Sequence, residues 1–132
     1  MKIYSILLVL PLFISLNQIK ASTDDENIEK IIQFIKNVDA KKLSGYFNTT
    51  IDLELGDIDG SYSKTQAEII INDFFKTNPA KSFTLNHQGS SDDGSKYIIG
   101  TYKCSATEYR VYILLKKQSD ELLIYQLQFE ED

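Results

Sequence analysis

The apolar residues near the start of the chain recur at helical spacing, at positions i, i+3, i+4 and i+7: Ile28, Ile31, Ile32 and Ile35. This pattern predicts an amphipathic helix. Thr23 and Glu26 form a capping-box pattern, so we expect the helix to begin there. A shorter second helix is expected after Asp39, whose side chain suits a helix N-terminus.

A third helix is predicted between a second capping box and a proline. Ser63 and Gln66 supply the box, and Asn78 followed by Pro79 supplies the end. Between them lies another apolar stripe at helical spacing: Ala67, Ile70, Ile71, Phe74 and Phe75. The stripe is expected to face the core of the domain.

Alternation of apolar and polar residues predicts strands in the rest of the chain. Residues 51–55 form a short strand that returns as a hairpin through Ser61 and Tyr62. Four further strands are predicted over 82–88, 96–104, 107–117 and 122–130. Their short connections favour antiparallel neighbours. The result is an α+β domain, with three helices on one face of a bent antiparallel sheet.

The first 21 residues have the features of a secretory signal peptide. Lys2 precedes an apolar run over residues 3–16, and Ala21 supplies a small residue for cleavage. A membrane-spanning helix needs about 20 apolar residues, more than this run contains. We therefore expect a single exported domain over 22–132, periplasmic or extracellular, with no membrane attachment after cleavage.

Charge and composition exclude several classes of function. Without residues 1–21 the chain has 12 basic and 19 acidic residues, a formal charge of −7, which argues against nucleic-acid binding. One histidine and one cysteine cannot form a usual zinc site. Residues 57–60 resemble part of a calcium-binding loop, but the first and last ligand positions of that pattern are Leu55 and Gln66, which do not fit it. We therefore interpret residues 57–60 as a turn. Cys104 has no cysteine partner and is expected to be buried and inert. No metal or cofactor is predicted.

The predicted hairpins assign the strand residues to two faces. Pairing Gln88 with Lys96, Cys104 with Thr107, and Lys117 with Leu122 gives one face that we expect the helices to cover: Phe83, Leu85, His87, Tyr97, Ile99, Thr101, Arg110, Tyr112, Leu114, Leu123, Tyr125, Leu127 and Phe129. The opposite face then carries an apolar strip, which predicts a homodimer interface: Ile98, Tyr102, Val111, Ile113 and Ile124.

Polar and aromatic residues of the predicted inner side are candidates for a ligand pocket: Tyr46, Tyr62, Phe75, His87, Tyr97, Arg110, Tyr112 and Tyr125. The alternative is structural, with the His87 ring satisfied by the backbone and Arg110 paired with Glu108 or Glu130. Nucleophilic catalysis would need Cys104 beside His87, but the two are predicted on opposite faces. A general-base enzyme would need an inward carboxylate or histidine near the tyrosines, and only His87 qualifies. No catalytic residue is therefore assigned.

Several motifs in order resemble a family of small exported bacterial proteins: Gly45-Tyr46-Phe47-Asn48, Tyr62-Ser63-Lys64, Asp73-Phe74-Phe75, Asn78-Pro79, Ser82-Phe83-Thr84, His87-Gln88-Gly89-Ser90-Ser91 and Tyr109-Arg110-Val111-Tyr112. The family is domain of unknown function 4783, within the nuclear-transport-factor-2-like, cystatin-like superfamily. The resemblance implies a cone-shaped α+β fold and an internal pocket, and no catalytic residues. We expect a non-enzymatic module that binds a small ligand. The alternative is a homodimeric interaction module, and an isomerase or dehydratase ranks third.

Overall fold

The computed structural model describes residues 23–132, so the predicted signal peptide lies outside the described residues. Three helices form where the patterns predict them: α1 (Thr23–Lys36), α2 (Ala40–Ser44) and α3 (Lys64–Thr77). The four isoleucines of α1 are buried. The capping box at the start of α3 is complete: the Ser63 side chain accepts a hydrogen bond from the backbone N–H of Gln66, and the Gln66 side chain accepts one from the backbone N–H of Ser63. Both bonds satisfy N–H groups that have no partner within the helix. None of the described helices is long and apolar enough to span a bilayer.

Six strands form one curved sheet. They are β1 (Phe47–Leu55), β2 (Ile58–Ser63), β3 (Ser82–Ser90), β4 (Lys96–Lys103), β5 (Glu108–Gln118) and β6 (Glu121–Glu131). Their order across the sheet is β2-β1-β6-β5-β4-β3. The predicted α+β fold, with helices on one face of a bent sheet, is confirmed.

The sheet departs from the predicted antiparallel pattern at one place, because β1 and β6 pair in parallel. Helix α3 carries the chain from the β1–β2 hairpin to the far edge of the sheet. The meander from β3 to β6 then returns to β1, and its last strand runs in the same direction as β1. The residue pattern predicts the strands, but the parallel pairing of β1 with β6 depends on the path of the whole chain.

One glycine of β4 allows a close contact inside the sheet. A Cβ atom on Gly100 would lie 2.6 Å from the Phe83 ring and 2.8 Å from the Thr84 carbonyl oxygen. Gly100 pairs with Leu85, next to a bulge in β3. A glycine within a strand often marks a bulge. Here the bulge lies in the neighbouring strand, β3.

Gly100→Ala is expected to lower the free energy of unfolding by about 1–3 kcal/mol, because the added methyl group overpacks the site. Gly60→Ala is the matched control, since its Cβ would meet the Tyr62 ring at an ordinary 3.5 Å. Urea unfolding of both variants measures the difference. Equal stability of the two would show that the Gly100 contact does not constrain the sheet.

Candidate functional site

The helices cover the face of the sheet that was predicted to be outside. Five residues predicted to form a dimer face are completely buried beneath the helices, each 0% exposed: Ile98, Tyr102, Val111, Ile113 and Ile124. The prediction of an interface from these residues is wrong. They form the hydrophobic core together with the isoleucines of α1 and with Ile71 and Phe75 of α3.

Strand irregularities explain much of this inversion. Lys96 of β4 stands opposite Ser90 of β3, two residues beyond its predicted partner Gln88. Strand β3 also contains a bulge between Leu85 and His87. In β6 a second bulge places Tyr125 outside the regular pairing, between partners of Leu114 and Leu115. Continuous alternation through a bulge assigns one side of it to the wrong face. Four residues of the predicted inner face do lie on the helix side: Phe83, Leu85, Leu127 and Phe129.

Apolar content alone did not distinguish the faces either. The covered face of β4 and β5 carries isoleucine, valine, leucine and tyrosine, and the uncovered face carries leucine, isoleucine and tyrosine. Both faces therefore look capable of being buried. Each face of these two strands carries two tyrosines, so aromatic residues do not distinguish the faces either.

Aromatic rings fill the interior of the cone. Phe129 lies at their centre, with ring centroids of Phe74, Tyr102 and Tyr109 at 4.8, 5.3 and 6.2 Å. Phe75 stacks on Tyr102 at 6.1 Å. These side chains occupy the volume that was predicted to be a ligand pocket.

The polar atoms of this cluster are turned toward the end of α3. The Tyr102 hydroxyl donates to the backbone carbonyl oxygen of Asn78, and the Tyr109 hydroxyl donates to the Asn78 side-chain oxygen at 3.4 Å. Burial raises the pKa of both tyrosines, and for Tyr109 the Glu131 carboxylate raises it further. Both phenols therefore stay neutral and act as hydrogen-bond donors to Asn78.

The uncovered face has an apolar block on the neighbouring strands β4 and β5, to one side of the centre of the sheet. Four half-buried side chains form it, and we call them the open-face quartet: Tyr97, Ile99, Tyr112 and Leu114. Tyr97 stands opposite Leu114, and Ile99 opposite Tyr112, so the quartet is a compact two-by-two block. These four residues were predicted to lie in the core, so Ile99 and Leu114 were not expected at the surface.

Polar and charged groups surround the quartet. On the β3 side, Nε2 of His87 lies 3.1 Å from the Tyr97 hydroxyl. On the β6 side stand the half-buried Gln126 and Gln128. Arg110 and Lys116 are exposed on β5, beyond the two ends of the quartet. The quartet is therefore an apolar block with a polar rim, the usual anatomy of a protein interface.

Acidic residues occupy the far side of the same face. Asp52 and Glu54 of β1 align with Gln126 and Gln128 of β6. Asp59 of β2 lies opposite Glu54. Charge is therefore distributed unevenly: acids lie on β1 and β2, while the cations Arg110 and Lys116 lie on β5, with the exposed Glu130 of β6 opposite Arg110.

The predicted pocket residues do not come together. Five of them lie on the uncovered face: His87, Tyr97, Arg110, Tyr112 and Tyr125. On the helix side, Phe75 is packed in the aromatic cluster, and the Tyr46 hydroxyl donates to Asn27 at 3.4 Å. Tyr62 is half-buried on β2, opposite Ile51. The sheet separates the two groups, so they cannot line one pocket.

Shallow grooves are found on the helix side. One groove of about 280 Å³ lies at the end of α3, against the β1–β2 hairpin, with Ile58, Ile70 and Phe74 in its wall. Another of about 320 Å³ runs past Tyr46 and Leu123. A smaller one, about 210 Å³, is lined by Gln88 and Lys96.

Cys104 lies in the core, where its Sγ donates to the Thr107 carbonyl oxygen at 3.3 Å. Its burial agrees with the prediction, but its predicted place on the outer face is wrong. Within residues 23–132, no group of three or more His, Cys, Asp or Glu side chains is arranged to hold a metal ion.

Comparisons with known proteins agree with the fold. The chain is similar to a DUF4783 family protein from Bacteroides ovatus ATCC 8483, with 28% identity and a TM-score of 0.73, covering 77% of this chain and 92% of that one. A DUF4783 family protein from Bacteroides uniformis ATCC 8492 has 26% identity and a TM-score of 0.74, covering 79% and 95%.

More distant similarity supports the fold alone. The structure of ActVI-ORFA from Streptomyces coelicolor has 13% identity and a TM-score of 0.63, covering 83% of this chain and 95% of that one.

A search of curated proteins finds no match. The family model for domain of unknown function DUF4783 matches residues 28–130. The chain therefore belongs to the DUF4783 family, with a nuclear-transport-factor-2-like fold.

Proposed function

We propose that this protein is a non-enzymatic interaction module that pairs with a second copy through its uncovered sheet face. The observation that carries the proposal is the open-face quartet, an apolar block left outside the core on strands β4 and β5. A contiguous apolar patch with a polar rim marks an interaction site more often than free surface. The quartet residues themselves carry no charge, so stacking two quartets buries no ion.

The size of the face suits a dimer. Six strands spaced about 4.8 Å apart, with about nine residues of ~3.3 Å in each on average, give a projected face of roughly 29 by 30 Å. A stable interface buries about 800 Å² on each partner. The uncovered face is of this order, and a two-fold dimer places the same patch on both sides.

Hydroxyl-radical footprinting at low and high protein concentration tests the proposal. We expect oxidation of Tyr97 and Tyr112 to fall several-fold at high concentration, because association removes both rings from water. Tyr46 is the internal control, since it is also half-buried but lies on the helix side. Unchanged oxidation of Tyr97 and Tyr112, or protection of Tyr46 instead, would contradict a dimer through this face.

Small-ligand binding is the second candidate, supported by the groove at the end of α3. Its wall is largely apolar, and Asn78 contributes polar groups beside Tyr102 and Tyr109. Its volume of about 280 Å³ is just below the usual volume of ligand sites, roughly 300–1,000 Å³. Because the rings fill the cone, a ligand would bind at its mouth. A small molecule retained in a native mass spectrum of the protein purified from its own cells would favour this candidate.

An isomerase or dehydratase ranks third. Such an enzyme would place a base beside the tyrosine hydroxyls of the cone. Here the hydroxyls of Tyr102 and Tyr109 donate their hydrogen bonds to Asn78. His87, the candidate base, lies on the other face of the sheet, beside Tyr97.

A further inference from the structure

We propose that the outer edge of strand β3 binds an extended, basic segment of another protein, which joins the sheet as an additional strand. The site lies at the edge of the sheet beside helix α1, so it is separate from the open-face quartet and does not depend on the proposed dimer. Strand addition needs an unpaired strand edge, room beside that edge, and side-chain contacts that select the partner.

The edge itself is unpaired. Strand β3 is the outermost strand on its side of the sheet, and it pairs with β4 alone. Within residues 23–132, the N–H and C=O groups on its other edge make no backbone hydrogen bond. A bulge between Leu85 and His87 interrupts this edge, where the Asn86 amide donates to Oγ1 of Thr101 at 2.7 Å. The regular part is therefore His87–Ser90, which can pair with about four residues of a partner.

A groove runs between this edge and helix α1. Its larger part, about 210 Å³, lies between Ile28 of the helix and residues 88–90 of β3. A second part of about 130 Å³ lies between Glu29 and Ile32 of the helix and Leu85 of the strand. The helix therefore runs beside β3 in the opposite direction to the strand. Side chains of an added strand would meet one flank of the helix.

This flank of α1 carries acids and isoleucines at matching intervals. Asp25 and Glu29 line the groove, and so do Ile28 and Ile32. Residues four apart lie ~6 Å apart along a helix, close to the ~6.6 Å between alternate residues of a strand. A lysine or arginine at every second position of the partner would therefore pack its stem on an isoleucine and place its charge beside an acid.

Charge favours a basic partner over a second copy of this chain. Lys96 also lines the groove, at the end next to Ser90. It repels a basic side chain there, so the basic residues of the partner are expected toward Glu29. The formal charge of the chain, −5, attracts basic partners. Two copies of the edge would carry the same acidic flank, and the bulge discourages pairing of identical edges.

An NMR titration of the wild type tests the proposal. The probe is a hexapeptide of alternating threonine and lysine with blocked ends, and the matched control has glutamate in place of lysine. We expect the lysine peptide to shift the amide signals of His87–Ser90 and to slow hydrogen exchange several-fold at the amides that point away from β4. Unchanged β3 signals at millimolar peptide, shifts confined to the other edge strand, β2, or an equal effect of the glutamate peptide would overturn the proposal.

A charge reversal in the groove provides the second arm of the test. We expect Glu29→Lys to raise the dissociation constant of the lysine peptide roughly fivefold to tenfold. It should also bind the glutamate peptide more tightly than the wild type does, a gain that a misfolded variant would not show. Asp59→Lys is the matched control, because Asp59 is exposed on β2, at the opposite edge of the sheet. It should bind like the wild type.

Two further outcomes would overturn the basic segment as the occupant of this edge. Equal weakening by Glu29→Lys and Asp59→Lys would mean that net charge attracts the peptide and that the groove does not. Slower exchange at His87–Ser90 when the protein concentration alone is raised would assign the edge to a second copy of the chain.

Discussion

Phe129→Ala is expected to lower the free energy of unfolding by about 3–5 kcal/mol. The ring is 2% exposed and lies between helix α3 and the sheet, in contact with Phe74 and Tyr102. Removing it leaves a cavity that rigid aromatic neighbours cannot close. Loss of this size is a large part of the 5–15 kcal/mol by which a domain is normally stable. Thermal unfolding should shift downward by on the order of 15 °C.

Phe34→Ala is the matched control for this prediction. Phe34 is only half-buried, and its ring packs on Tyr46 at 6.0 Å at the edge of the core. It should therefore lose clearly less stability than Phe129→Ala. Urea unfolding of the two variants provides the comparison. An equal loss, or a larger loss at Phe34, would mean that the aromatic cluster is not the main support of the cone.

The sequence is sufficient to locate most of the elements. Helices α1 and α3 follow from isoleucine spacing and capping boxes, because these signals depend on near neighbours. Strand β1 begins at Phe47, four residues before the predicted start. Its first residue, Phe47, pairs with Ile124 of β6, and the register of this pairing shifts between Phe47 and Asp52. Long-range pairing of that kind leaves little trace in a local pattern.

The uncovered face could not be identified from the sequence in the same way. The pairing of β4 with β5 agrees with the predicted hairpin, in which Lys103 stands opposite Glu108. A correct register says which residues share a face, but not which face the helices cover. The bulge at Tyr125 then joined residues from both faces into one predicted set. A useful signal was present in Gln126 and Gln128, whose amides suit the half-exposed side of the sheet.

The filled cone changes how the family fold is understood in this chain. A fold that encloses volume beneath a curved sheet can use that volume for a ligand or for its own core. Here five aromatic side chains occupy it: Phe74, Phe75, Tyr102, Tyr109 and Phe129. The surface that remains for recognition is then the outside of the sheet. This supports the proposed pairing of two copies more strongly than it supports an enclosed ligand.

Leu114→Glu is expected to have the largest effect on assembly. Leu114 lies in the open-face quartet opposite Tyr97, so the two-fold dimer would bury the new carboxylate twice. Burying an unpaired charge costs several kcal/mol, which corresponds to an increase of more than about 100-fold in the dimer dissociation constant. The side chain is partly exposed in the single chain. The fold itself should therefore tolerate the change.

Ile69→Glu is the matched control, because Ile69 is an exposed isoleucine on α3, 59% accessible, and lies outside the sheet. The decisive measurement is the molar mass of the wild type and both variants by light scattering over a concentration series. The account predicts a dimer for the wild type and Ile69→Glu, and a monomer for Leu114→Glu. A wild type that remains monomeric throughout the series, or a Leu114→Glu variant that dimerises as tightly as the wild type, would contradict it.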